Sequence, residues 1–162
     1  MAEIQSITGL KELQEALKQL PDRISKNVLR GSVSAGAAVI RKEAQARAPV
    51  YTGSVAAGHP PPGTLKRSIV QKQIAELSDS LKQVFYVAVR AGKKYQKQGK
   101  KGNLSQDAFY GSMVEFGTSQ MPKKSFMRPA FEAKKNEAVT AISDYMEKRI
   151  PDEVAKLPGA KK

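Results

Sequence analysis

Apolar residues along this chain recur at two intervals, and they outline a helix–sheet–helix arrangement. Leu10, Leu13, Leu17 and Leu20 fall at helical spacing, so 9–20 reads as a short amphipathic helix with Thr8 as its N-cap. Pro21 interrupts that pattern and opens a second, long helix over Asp22–Arg47. Its apolar face runs through Leu29, Val33, Ala37, Ile40 and Ala44, and Ala48-Pro49 ends it. The middle of this helix, from Gly31 to Ala38, is built of unusually small residues. Glycine costs helix stability, about 1 kcal/mol relative to alanine. Its use here points to close approach by a sheet or by the C-terminal helix.

Beyond a Pro/Gly-rich loop, Leu65–Ile74 (LKRSIVQKQI) reads as a strand. Leu81–Arg90 (LKQVFYVAVR) reads as a second one, apolar on both faces and therefore expected to be covered on both. The ELSDS between them supplies a turn, so the pair is expected to be antiparallel. A short helix is expected over Asp107–Phe116, capped by Asp107 and stopped by Gly117. Pro129 fits the first turn of a last helix that closes at Pro151. Phe131, Ala138, Ile142 and Tyr145 lie along one of its faces. The expected fold class is α+β: a long N-terminal and a long C-terminal helix packed on a small, mainly antiparallel sheet. A single domain over 1–150 is expected, with flexible loops at 50–64 and 91–106 and a disordered tail at 151–162.

Charge changes the picture. The chain of 162 residues carries 28 Lys+Arg against 15 Asp+Glu, a net charge of +13. Residues 63–103 alone hold 10 basic and 2 acidic residues. Five lysines, Lys93, Lys94, Lys97, Lys100 and Lys101, crowd one polar loop around Tyr95. Such a loop is either a basic finger for DNA phosphate or an acidic partner, or simply a solvated surface. No zinc knuckle or other base-reading module accompanies it, so any nucleic-acid contact would be independent of base sequence.

Candidate chemistry is sparse. Cysteine is absent, which excludes a thiol nucleophile and a Cys-based metal site. The lone histidine, His59, sits beside three prolines with no companion base or acid. There is no phosphate-binding G-x-x-x-x-G-K-[ST] loop, no H-E-x-x-H and no G-x-S-x-G. The reading is therefore no enzyme, no catalytic residue, no metal and no cofactor. No apolar run is long enough to span a bilayer and the start lacks a signal-peptide pattern, so no membrane partner is expected.

The densest segment is Tyr110–Phe131, YGSMVEFGTSQMPKKSFMRPAF. It sets apolar anchors around one acid, Glu115, which needs a partner if buried. Arg128 is the candidate across the turn, its guanidinium suited to a bidentate carboxylate pair. The alternative is an ordinary surface acid. Glu115, Phe116, Phe126 and Arg128 are thus candidate joint or subunit contacts.

Motifs in a fixed order carry a resemblance. AxAPVxTG closes the long helix (Ala46, Ala48, Pro49, Val50, Thr52, Gly53), and TLKRSI follows at Thr64–Ile69. VFYVAV comes next, then Y-x-x-x-VEFGT (Tyr110, Val114–Thr118), then MPxxxFMRPAFE (Met121–Glu132). Over about residues 10–149 the chain resembles the tail-completion or head–tail joining proteins of long-tailed bacteriophages and prophages, the gene-product-ten family of Hong Kong 97-type phages. The stretch Ser54–Gly63 is an insertion relative to that pattern. The resemblance implies a structural virion protein of the neck, at the head–tail junction, made in the bacterial host cytoplasm. It implies other neck and tail proteins as partners and a homo-oligomeric ring, six-fold favoured, through which DNA passes. A basic protein that binds nucleic acid without sequence preference is the alternative from the charge alone.

Overall fold

The computed structural model describes residue 15 and residues 21–53, 61–91 and 108–155. Most of the expected 9–20 helix, Asp107, His59 and the five loop lysines lie outside the described residues. Helix α1 spans Asp22–Arg47, the expected bounds, with Asp22 in its first turn and Arg47 in its last. Both charges complement the helix dipole. Helix α2 (Thr64–Ser68) leads directly into strand β1 (Ile69–Gln73). Strand β2 is Phe85–Val89, helix α3 is Gly111–Phe116, and helix α4 is Met127–Val154. The fold is α+β, with a two-stranded sheet whose partners are β1 and β2. Ile74 N–H donates to Val84 O at 2.9 Å and Arg90 N–H to Ser68 O at 2.8 Å, which sets the pair antiparallel.

The chain divides into two compact units. The first combines the N-terminal part of α1, the Lys72–Tyr86 segment and α4 from Lys135 onward. Its core is Val28, Met146 and Ile150, with Ile24, Leu29 and Ile142 against it. The small residues of α1 are explained here. A Cβ on Gly36 would lie 2.8 Å from Ile142 Cδ1 and 2.9 Å from the Ala138 carbonyl oxygen, and one on Gly31 would strike the Tyr145 ring. The element that approaches is therefore α4.

The second unit spans Ile40–Gln71 and Val87–Lys134. Its core is Ala44, Ala48, Leu65, Ile69, Ala108, Phe126 and Ala130, with Val87, Val89, Tyr110, Val114 and Met127 packed on it. Gln45 Nε2 donates to Ile69 O at 3.0 Å, tying α1 to the start of β1.

Three local expectations are corrected. Thr64–Ser68 is a helical turn, not the beginning of a strand. Gly63 enters it at φ +77°, Thr64 Oγ1 donates to Pro61 O at 2.6 Å, and Ser68 Oγ donates to Thr64 O at 2.7 Å. The apolar interval from Leu65 to Ile69 is four residues, a helical repeat rather than an alternation. Strand β2 begins at Phe85, not Leu81, because side chains engage the backbone before it. Asp79 Oδ1 accepts from Leu81 and Lys82 N–H, both at 2.7 Å, and Ser78 Oγ accepts from Val84 N–H at 3.1 Å. Helix α4 does not close at Pro151 but runs to Val154. The Arg149–Glu153 pair, 3.1 Å apart, spans the proline, and Ala155 N–H returns to Pro151 O at 2.9 Å. A proline within a helix removes one N–H and crowds the carbonyl four residues back, without ending the helix here.

Candidate assembly site

The site is the joint between α3 and α4, and Glu115 organises it. Helix α3 ends at Gly117, whose N–H donates to Met113 O at 2.8 Å. Gly117 has φ +80° and ψ 174°, a conformation that only glycine adopts readily. A Cβ there would also lie 2.9 Å from Lys123 N. Thr118 and Met121 then close a tight turn through paired backbone bonds of 2.9 and 3.3 Å. The chain returns alongside α3, with Lys124 N–H donating to Val114 O at 2.8 Å and Ser125 Oγ to Glu115 O at 2.8 Å.

That return places the start of α4 over the Glu115 carboxylate. Phe126 N–H donates to Oε2 at 2.7 Å, Met127 N–H to Oε2 at 3.0 Å, and Arg128 N–H to Oε1 at 3.2 Å. The first N–H groups of a helix have no partner inside it and carry partial positive charge. Glu115 fills that need from another helix, 11 to 13 residues away in sequence. Burial works against its charged form. The Met127, Phe126 and Arg128 N–H groups, with the Arg128 positive charge, outweigh it and hold the carboxyl below the ordinary glutamate value. The expected bidentate Glu115–Arg128 pair is replaced by this backbone cap: among the described residues, the donors to the carboxylate are those three N–H groups. Arg128 is exposed and acts on Glu115 through charge.

The four candidate contacts separate by burial. Glu115 is buried, and Phe126 is 0% exposed at the centre of the second unit's core. Phe116 is 72% exposed. Phe131, expected on the buried face of α4, is 49% exposed, and Ala130 beside it takes the buried position. Tyr110 turns inward, where burial raises its hydroxyl's pKa against the opposing influence of the Leu65 backbone and Arg67.

Sequence reasoning missed Phe109 and Met113, 56% and 45% exposed. Phe109 in the turn before α3, and Met113 and Phe116 on α3, are exposed, while Gly111 and Glu115 are buried and Tyr110 and Val114 half-buried. The signal was present as the spacing 109, 113, 116, but an apolar stripe at that spacing is more often core. Exposed apolar side chains grouped this closely form a local apolar patch. The joint thus combines a hydrogen-bonded frame with three exposed apolar side chains.

The family model described as "Bacteriophage HK97-gp10, putative tail-component" matches residues 11–117, and the chain belongs to that family. The family consists of phage structural tail components, not enzymes. The match ends at Gly117, so the MPxxxFMRPAFE block and α4 lie beyond it. No curated protein and no solved structure matches the chain. No helix among the described residues is long and apolar enough to cross a membrane.

Proposed function

We propose that this tail component completes the neck of the virion, forming a homo-oligomeric ring at the tail end that receives the DNA-filled head. The observation that carries the reading is the exposed stripe of Phe109, Met113 and Phe116, held on a joint whose geometry Glu115 and Gly117 specify. Leaving three large apolar side chains in water is unfavourable for a lone molecule and useful for one that is incorporated into an assembly. In this reading Glu115 and Phe126 fix the joint from inside while Phe116 and Arg128 face neighbours. The Lys93, Lys94, Lys97, Lys100 and Lys101 loop is assigned to the DNA path, where loosely bound phosphate suits unpatterned lysines.

In vitro complementation tests the proposal. A phage with an early stop in this gene should yield a lysate of few infectious particles, and adding the purified protein should restore them. Full infectivity without the protein would overturn the reading. In that case the basic charge would lead instead to DNA binding that weakens steeply with salt.

A further inference from the structure

A second exposed apolar patch sits on the turn between β1 and β2. Leu77 and Leu81 are both exposed there. The turn is stiff: Ser78 Oγ donates to Ile74 O at 2.6 Å, and the Asp79 carboxylate accepts the Leu81 and Lys82 N–H groups. Glu76 and Asp79 on this tip are the only two acids between residues 63 and 103. The C-terminal end of α3, where the stripe finishes at Phe116, carries the opposite sign. Lys123 and Lys124 are exposed and lie beside its end, as the Lys124 N–H bond to Val114 O and the nearness of Lys123 N to Gly117 require.

We infer that these two patches are the two halves of a copy-to-copy contact: the β1–β2 tip of one copy seats Leu77 and Leu81 on the α3 stripe of the next, with Glu76 and Asp79 facing Lys123 and Lys124. The charges select this pairing. Stripe on stripe brings Lys123 and Lys124 against their copies, and tip on tip brings together two tips that stay net negative with Lys82 counted beside Glu76 and Asp79; like charges placed together are unfavourable. Only the cross pairing matches both the apolar centre and the charged rim. A contact between two unlike patches is also the kind that closes into a ring rather than stopping at a dimer. The inference rests on the ring reading above and adds the surfaces that form it.

The absence of cysteine from the chain permits a direct test. Phage carrying Leu81→Cys and Phe116→Cys in this protein are purified and mildly oxidised. The double variant should give a ladder of covalently linked copies, and each single variant should remain monomeric. Dimers from Phe116→Cys alone, links to a different virion protein, or monomers only in particles that contain the protein would overturn the inference and leave the neck reading standing. Absence of the wild-type protein from the particles would overturn both. A charge exchange guards against a double variant that does not assemble. Glu76→Lys, at an exposed position, should leave melting unchanged and lower infectious titre about tenfold or more. Lys123→Glu with Lys124→Glu should restore it, and no restoration would overturn the pairing.

Discussion

The α3–α4 joint and the α1–α4 helix contact hold together by opposite means. At the joint, one carboxylate and one buried ring hold a helix start: Glu115 takes three backbone N–H groups and Phe126 fills the core beneath them. At the helix contact, the deciding residues are the ones with least side chain. Gly31 and Gly36 let α1 approach Tyr145, Ile142 and the Ala138 carbonyl of α4. The joint is thus specified by polar direction, and the helix contact by steric absence. A polar cap fixes the angle at which a helix leaves a turn. Close packing fixes separation without favouring any one chemical partner.

Substitutions can break each side of that contrast. The largest effect is expected from Phe126→Ala, which removes a fully buried ring and should lower stability by about 3–5 kcal/mol in urea denaturation. Glu115→Ala should follow at about 2–3 kcal/mol, since it strands the buried N–H of Phe126 and uncaps α4. The acid also carries a pH signature. Its folded pKa lies below its unfolded one, so its contribution is complete above the ordinary value of about 4.3 and is lost as pH falls through the lower folded value. Denaturation between pH 7 and the acid limit should therefore show stability falling below about 4.3, and Glu115→Gln should flatten that fall. An unchanged acid limb in Glu115→Gln would remove the charged cap from the account.

On the other side, Gly36→Val should cost about 1–3 kcal/mol, because the Ala138 carbonyl cannot move aside as a side-chain end can. Phe116→Ala should change stability by less than about 0.5 kcal/mol, as its ring stands mostly in solvent, and Phe131→Ala, which removes a half-buried ring, by about 1 kcal/mol. In that pair the loss should appear in assembly. A large drop in melting temperature for Phe116→Ala would mean that the stripe is core after all.

Residue chemistry made some of this arrangement readable in advance. The bounds of α1 follow from Pro21 before it and Ala48-Pro49 after it, and its glycines announced a close neighbour. Gly117 was recognisable as a stop because the joint needs a backbone conformation that other residues resist. The partner of Glu115 was not readable. Arg128 is visible in a sequence as a cation, whereas three N–H groups at a helix start carry no letter of their own and become donors only once the turn has brought them 11 to 13 residues back. The phenylalanines were ambiguous for a related reason. Phe116, Phe126 and Phe131 present the same chemistry, and a six-residue helix with apolar residues on both sides does not reveal which side faces inward. At Leu65–Ile69 the four-residue interval was legible, but the lysine and arginine between them resembled an alternating strand.

We propose that this tail component is needed where head meets tail. The most direct measurement is electron microscopy of a lysate from a phage or prophage whose copy of this gene carries an early stop. Filled heads beside complete but unattached tails are the predicted result. Normally joined particles would contradict the account.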